Sequence, residues 1–456
     1  MHNFLKKKIH NLASDKKFSE ILTGSVWALG SKVLATALTL AISVVVARFY
    51  GAQAMGILAV VQSFLMLTTI FTVLGTNTSI LRMVPEHMEK YSVTSAFRVY
   101  RKTQYLVVGV SLVTGTLLFF FSGFVADKIF SKPHLTYFLS LAAMFVVFNS
   151  LMDLNTQAVR GLRLIRVFAF MQLLPSAITL FILVIITYYF HAQENPVYAY
   201  LAAIAITALI GALVMNKAFK VRTQPDALVL DIPVTSILSI SFPMLMTASM
   251  QFLIGQTGVL MLAIFRSEAE VGYYAMAVKL ATLTTFALGA VNSMAGPKFS
   301  ELFHTGRMDE LFYVAKKSSK LLFWTTTPVL LGLLLLGKPI LGYFFGAEFM
   351  AAYPALVFLI MGQFVNSVSG STAMFMNMTG RQNIFRNITF GAAALNISSN
   401  LLFIPYLGII GAAISAMLSV SFWNIVTLIY MKKKHGRTTG YMPGFLLGLI
   451  IQKKNK

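Results

Sequence analysis

The sequence predicts an all-α integral membrane protein with about 12 transmembrane helices in two halves of six. The chain of 456 residues is 57% hydrophobic, and its mean hydropathy is +0.75. Only 11% of its residues are charged, against roughly a quarter in soluble proteins. Apolar runs of about 20 residues, long enough to cross a bilayer, recur along the whole chain. Together these features exclude a soluble enzyme or a soluble binding protein.

Polar breaks divide the chain into twelve apolar runs. A further apolar stretch in the tail, residues 442–451, is too short to cross and is expected at the membrane interface. The predicted spans are residues 21–47, 55–81, 104–126, 135–158, 167–190, 197–218, 235–265, 271–296, 318–342, 352–378, 384–404 and 408–431.

The net charge of +22 comes from basic residues in the short connections between apolar runs, so no nucleic-acid partner is expected. Of the 37 Lys and Arg residues, 30 fall on the side of the N-terminus, two fall within spans and five fall on the opposite side. Because cytoplasmic loops carry the excess of Lys and Arg, both termini are predicted to be cytoplasmic. The five residues on the outer side are Arg48, Lys128, Lys132, Arg266 and Lys338.

The most polar mid-chain stretch, residues 217–233, separates six spans from six. Both halves then enter the membrane from the same side, as parallel repeats do. Residues 47–59 (A-R-F-Y-G-A-Q-A-M-G-I-L-A) align without gaps on residues 263–275 (A-I-F-R-S-E-A-E-V-G-Y-Y-A) at the same hairpin of each half. The predicted segments are a cytoplasmic N-terminus (1–20), an N-terminal lobe (21–218), a linker (219–234), a C-terminal lobe (235–431) and a basic cytoplasmic tail (432–456).

The sequence contains no strong catalytic, metal-binding or phosphate-binding motif. The chain has no cysteine, and its seven histidines show no metal-ligand spacing. Residues 332–339 (G-L-L-L-L-G-K-P) match a phosphate loop up to the lysine, but Pro339 stands where Ser or Thr is needed. The connections are too short for a catalytic domain. We therefore expect no enzyme activity, no cofactor and no metal site.

Ionisable residues inside spans are the main functional candidates, because lipid exposure of a charge is costly. Lys32 lies about ten residues, roughly 15 Å, from the inner end of its span, which is too far for easy snorkelling, and Lys279 lies eight residues into the eighth span. Asp153 is the one acid well inside a span, and it either pairs with Lys32 or binds a coupling cation. Arg48 and Arg266 occupy equivalent outer hairpins, as interface anchors or as a cationic rim.

Neutral amide side chains within the spans offer further hydrogen-bonding groups. Most are expected to join helices to one another, and some are candidates to line the transport path. These polar candidates are Gln251, Gln256, Asn292, Asn366 and Asn400, with Asn396 beside them.

Four segments resemble polysaccharide flippases, the O-antigen and capsule-type exporters of the multidrug/oligosaccharidyl-lipid/polysaccharide superfamily. The four are V-V-A-R-F-Y-G-A-Q-A-M-G-I-L-A (45–59), E-V-G-Y-Y-A-M-A-V-K-L (270–280), G-P-K-F-S-E-L (296–302) and F-I-P-Y-L-G-I-I-G-A-A-I-S (403–415).

The resemblance implies two six-helix lobes around a central cavity, alternating between inward- and outward-open states. It implies a polyprenyl-diphosphate-linked oligosaccharide as substrate, moved to the outer leaflet of the plasma membrane. Membrane lipid and polysaccharide polymerase or assembly proteins are the implied partners. In the related lipid II flippases the first and eighth helices flank a lateral portal, and Lys32 and Lys279 fall on those helices. The resemblance thus implies that both lysines meet the diphosphate.

Two other functions stay open. A multidrug antiporter of the same superfamily would export organic cations, which favour acidic and aromatic surroundings. A membrane glycosyltransferase or polymerase would need larger polar loops than this chain provides.

The charge bias generates a topology prediction, because a single missed span would invert every loop after it. Reporter fusions at the first set of positions should report outside, and those at the second set inside. A single inverted reporter would contradict the twelve crossings. The outside set is Lys132, Asn195, Arg266 and Ala347; the inside set is Arg101, Arg163, Lys220, Arg307 and Arg381.

Overall fold

The computed structural model describes residues 16–190, 192–220, 232–441 and 443, with side chains from Trp27 onward. Most of the predicted N-terminal segment, linker and tail, including the expected interfacial stretch 442–451, lies outside the described residues. The described part is almost entirely helical. Its α-helices are α1 (Lys16–Val73), α2 (Thr76–Lys90), α3 (Val93–Phe124), α4 (Leu135–Gly161), α5 (Ile165–Tyr189), α6 (Asn195–Lys220), α7 (Val234–Phe265), α8 (Glu268–Ala281), α9 (Thr285–His304), α10 (Met308–Ile340), α11 (Tyr353–Ser369), α12 (Thr372–Met378), α13 (Gln382–Leu407) and α14 (Ile409–His435).

The helices confirm an all-α membrane protein with about twelve crossings. Within the described residues, 11 helical stretches are long and apolar enough to span a membrane. The first of them, Trp27–Val73, has 47 residues, or about 70 Å at 1.5 Å per residue, which is twice the thickness of a bilayer core. Gly51 breaks it with φ 78° and ψ −177°, so α1 supplies two crossings.

Two boundaries differ from the predicted spans. The predicted span 55–81 runs through a break, because Leu74 and Gly75 both adopt positive φ angles of 53° and 75° and end α1 at Val73. The predicted span 271–296 is interrupted by the single turn Thr282–Thr284 between α8 and α9. Hydropathy detects neither interruption, since the flanking residues stay apolar.

The chain forms two compact units. The first contains residues up to Ile42, Phe64–Lys128 and Lys132–Met246, and the second contains Ser43–Ser63, Ile129–Ser131 and the chain from Thr247 onward. The middle of α1 therefore packs with the C-terminal helices.

Each unit has its own buried core. In the first, the Tyr100 hydroxyl donates to Asn155 Oδ1 at 2.7 Å, and the Tyr100 ring stacks on Phe219 at 5.6 Å. In the second, Phe375 lies between Phe299 and Phe312 at ring distances of 5.7 and 5.3 Å. Both cores join several helices through ring packing and hydrogen bonds, which are the interactions that associate helices in a membrane.

A close helix crossing organises the second unit. A Cβ atom added to Gly56 would lie 1.8 Å from the carbonyl oxygen of Glu268, and one added to Gly272 would lie 2.3 Å from that of Ala52. The second segment of α1 and α8 thus meet backbone to backbone. Small residues at such spacing let membrane helices approach closely.

When the two repeat segments of the sequence are aligned, the crossing contains the same contact twice, once in each direction. The alignment pairs Ala52 with Glu268 and Gly56 with Gly272, and each glycine contacts the residue that lies four positions before the other glycine. The two repeat segments are therefore related by a local two-fold arrangement. Each of the two aligned positions therefore contributes one residue from each repeat segment to the crossing.

Gly56→Ala should lower the thermal stability of the purified protein, because the new methyl group has no space beside the Glu268 carbonyl. Overpacking of this kind costs about 1–3 kcal/mol. Gly109→Ala in α3 is the matched control, since nothing lies within 4 Å of its added Cβ. A midpoint unchanged by Gly56→Ala would contradict the tight crossing.

Candidate functional site

Lys279 lies in the last turn of α8 and reaches α1 of the same unit. Its Nζ donates to Ser43 Oγ at 2.9 Å, and the side chain is partly buried. Among the described residues no carboxylate lies within ion-pair distance of Nζ. The result is a positive charge inside a span with one neutral side-chain partner, which is suited to receive an anion.

Lys32 lies on α1 in the first unit, and its side chain is exposed. Its neighbours fix the orientation of the helix: Ser31 donates to Gln172 Oε1 at 3.0 Å, and the Thr39 and Ser176 hydroxyls are 3.2 Å apart. The face toward α5 is therefore occupied by hydroxyl contacts. Lys32 is left with a free ammonium group within the part of the chain that the structure describes.

Arg48 and Glu348 form reciprocal side chain-to-backbone hydrogen bonds at the ends of two helices. Its guanidinium donates to the carbonyls of Tyr343 and Phe344, the latter at 3.1 Å, where the helical chain of α10 ends. In return, Glu348 Oε1 accepts from the backbone N–H of Ala52 at 2.9 Å, where the second segment of α1 begins. A cation at a helix C-terminus and an anion at an N-terminus both satisfy groups that the helix cannot.

Arg266 has the same kind of contact at another helix end. It donates to Ile404 O at 3.3 Å and to Pro405 O at 2.9 Å in the last turn of α13, and Glu270 Oε2 lies 3.9 Å from its Nε. These contacts give Arg48 and Arg266 a structural role at helix ends. Their predicted part in substrate binding stays a prediction.

Asp153 lies on α4 in the first unit, and its neighbour is an amide rather than a lysine. Asn77 Nδ2 donates to Asp153 Oδ2 at 2.7 Å. No Lys or Arg among the described residues forms an ion pair with this carboxylate, so the structure does not contain the pair with Lys32. Cation binding at Asp153 stays a prediction.

The five neutral candidates divide into two groups. Three make side-chain hydrogen bonds. Gln256 accepts from Ser63 Oγ at 3.0 Å and Asn366 accepts from Asn424 Nδ2 at 3.2 Å, and both bonds join helices. Asn400 donates to Asn396 Oδ1 at 2.9 Å within α13, while its own buried Oδ1 has no hydrogen bond among the described residues. Gln251 is exposed, and Asn292 keeps a buried Oδ1 without a hydrogen bond among the described residues.

Sequence reasoning missed the partners of these charged groups. Glu348 and Ala52 are 296 positions apart, and no local pattern links them. Asn77 follows a glycine in T-V-L-G-T-N (72–77), which is a detectable break signal. Gly56 and Gly272 were aligned as equivalents, but an alignment of repeats does not reveal that the two copies touch.

Comparison with known protein sequences gives a family and two relatives. The sequence model of the polysaccharide biosynthesis protein family matches residues 45–354. An uncharacterised membrane protein of Methanocaldococcus jannaschii is 20% identical over 429 residues, which cover 90% of this chain and 83% of that protein. The probable low-salt glycan biosynthesis flippase Agl15 of Haloferax volcanii is 24% identical over 173 residues, covering 38% of this chain and 37% of that one.

Two solved structures share the fold. The lipid II flippase MurJ in an inward closed conformation has a TM-score of 0.67 at 16% identity, covering 90% of this chain and 87% of that chain. An inward-facing multidrug resistance MATE family transporter has a TM-score of 0.65 at 15% identity, covering 88% and 94%. At these identities the likeness concerns the fold alone. Since the family model covers more than half of the chain, this multi-pass membrane protein belongs to the polysaccharide biosynthesis protein family.

Proposed function

We propose that the protein is a flippase that moves a polyprenyl-diphosphate-linked oligosaccharide from the inner to the outer leaflet of the plasma membrane. The glycan is a repeat unit of O-antigen, capsule or exopolysaccharide, and transport proceeds by alternating access. The family match supports a role in polysaccharide assembly, and the relative from Haloferax volcanii is named as a glycan biosynthesis flippase. The fold shared with a lipid II flippase agrees with this function.

The observation that carries the proposal is the unneutralised charge of Lys279. A lysine at mid-span costs roughly 2.5–3.5 kcal/mol on insertion scales, and the neutral Ser43 hydroxyl offsets little of that. A diphosphate oxygen would provide a charge-assisted hydrogen bond, which is about twice as strong as a neutral one. The lysine is then retained because the substrate, not the protein, supplies its counter-ion.

Lys32 is the proposed second contact for the diphosphate. Its free ammonium group and its place on the first helix match what the lipid II flippase resemblance implies. Arg48 and Arg266 are expected to contribute less, because helix-end carbonyls already accept their hydrogen bonds. The exposed Gln251 and Asn292, whose Oδ1 has no hydrogen bond among the described residues, are the proposed contacts for sugar hydroxyls.

The proposed topology gives the glycine crossing a part in the cycle. With both termini cytoplasmic and predicted lobes at 21–218 and 235–431, Gly56 and Gly272 lie toward the outer surface. The crossing then closes the outer side while the substrate is loaded from within. Release of the glycan outward requires the contacts of Gly56 with Glu268 and of Gly272 with Ala52 to separate.

A cation-coupled multidrug exporter is the second candidate, because MATE transporters have the same fold. An exporter of organic cations needs negative charge where its substrate binds. Of the intramembrane candidates, Lys32 and Lys279 have no acidic partner among the described residues, and Asp153 is the single acid beside them, which favours an anionic substrate. A glycan-modifying enzyme is less consistent with the flippase relatives. Polysaccharide polymerase and assembly proteins are the partners that this function would require.

The proposal predicts that Lys279→Met lowers flipping of diphosphate-linked oligosaccharide by tenfold or more in proteoliposomes, because the diphosphate loses its counter-charge. Lys279→Arg should retain part of the rate.

An interior-negative potential should speed outward flipping, since moving one charge across 100 mV is worth roughly 2.3 kcal/mol. The measurement is the exposure of the glycan to a membrane-impermeant oxidant.

Lys338→Met is the matched control, because Lys338 is exposed at the end of α10 and the substitution is the same. The thermal midpoint separates function from folding: removal of an unpaired cation from a span should not lower it. Normal flipping by Lys279→Met would refute the role of the lysine. Transport of a lipophilic cation such as tetraphenylphosphonium, without glycan flipping, would favour the multidrug exporter.

A further inference from the structure

The helices α11 and α12 of the second unit are two parts of one predicted span, residues 352–378. Between them the helix is broken at Gly370, whose φ of 77° and ψ of −151° are essentially restricted to glycine. A Cβ atom added to Gly370 would lie 1.8 Å from Ser319 Oγ. The break lies about eight residues, roughly 12 Å along a helix, before the predicted cytoplasmic end of the span.

The break removes the helical donor of a backbone carbonyl. In a continuous α-helix the N–H of Thr372 would donate to Val368 O, four residues before it. Here that N–H donates to Gly370 O at 2.8 Å instead. Because the hydrocarbon of a membrane contains no water to satisfy a free carbonyl, Val368 O needs another donor.

The strap, residues 436–441, follows α14 and supplies that donor. The backbone N–H of Tyr441 donates to Val368 O at 2.9 Å, and the hydroxyl of the buried Thr439 donates to Ser369 O at 3.5 Å. The chain after the last span therefore turns back into the second unit and bonds to two carbonyls beside the break.

The side-chain contacts of the strap are with α10, and they are weak. The Tyr441 ring centre lies 5.7 Å from that of Phe323 and 5.8 Å from Lys320 Nζ. Arg437 pairs with Asp309, but the two side chains are 56% and 87% exposed, so this ion pair contributes little to stability. A segment held in this way can detach without unfolding the helices beneath it.

We propose that the strap is a conformational switch, in which the N–H groups of Tyr441 and Thr372 compete for Val368 O. With the strap bound, Tyr441 occupies the carbonyl and α11 and α12 stay apart. When the strap detaches, Thr372 takes the carbonyl and the two helices join. The single hydrogen of the Thr372 N–H cannot serve Gly370 O and Val368 O together, so the states exclude each other. Glycine at position 370 permits both, because its φ angle can change sign without steric cost.

Joining the two helices would change the core of the second unit. Phe375 of α12 packs between Phe299 of α9 and Phe312 of α10, and both ring contacts would have to rearrange when α12 changes direction. The strap would thereby control the end of the unit that the predicted topology places at the cytoplasmic side. Any use of the switch in transport rests on the proposed function, whereas the change in the helices does not.

The test is hydrogen–deuterium exchange of the purified full-length protein without any glycan, measured by mass spectrometry. Tyr441→Pro removes the donor of the strap, because proline has no N–H. Residues 436–440 should then exchange at least tenfold faster than in the native protein. Residues 371–374 should exchange at least tenfold more slowly, because the joined helix protects their amides. Tyr441→Phe keeps both the N–H and the ring, so this matched control should exchange like the native protein.

Gly440→Leu detaches the strap in a second way, because a Cβ atom added to Gly440 already lies 3.3 Å from Val368 O. This variant decides the question if Tyr441→Pro does not fold, and the same pair of opposite changes is expected. Faster or unchanged exchange of residues 371–374 overturns the switch, because the strap would then only cap a permanent break. A failed flippase assay would leave this result unaffected.

Discussion

The contact between Gly56 and Gly272 is the constraint on which the second unit depends. At this crossing two helices meet through backbone atoms, with less space than one methyl group needs on either side. In a membrane, association is driven by packing and hydrogen bonds rather than by exclusion of water, so a close contact of this kind has a large share in fixing helix positions. It sets where residues 43–63 lie, and with them the Ser43 hydroxyl that accepts from Lys279 and the Arg48 and Glu348 caps. The proposed function requires the same contact to separate and reform during transport.

The charged groups of the spans fall into two classes that the sequence alone does not distinguish. Arg48, Arg266 and Glu348 satisfy helix termini, and their charges complement backbone dipoles. Lys279 and Asp153 each have a single neutral partner and no opposite charge among the described residues. Because uncompensated charge within a membrane is costly, Lys279 is expected to gain a ligand from outside the chain. An anionic substrate meets that requirement.

Properties that depend on local sequence were predictable. Twelve apolar runs predicted the crossings, and the two copies of the hairpin motif predicted that Gly56 and Gly272 are equivalent. Properties that depend on distant contacts were not. The cap on Ala52 comes from Glu348, far along the chain. The break at Leu74 places a leucine in a conformation that its side chain disfavours, which only tertiary packing can impose. Asp153 could be recognised as unusual from its position, but its amide partner Asn77 depends on that break.

The most direct test of the account is to hold the crossing closed and measure transport. The chain has no native cysteine, so Ala52→Cys and Glu268→Cys can be introduced together and joined by a short bifunctional, reducible thiol reagent. The account predicts that the joined protein stops flipping diphosphate-linked oligosaccharide in proteoliposomes and that a reductant restores the rate. Each single-cysteine variant should be insensitive to the reagent. Full flipping activity in quantitatively cross-linked protein would contradict the claim that this glycine crossing opens during transport.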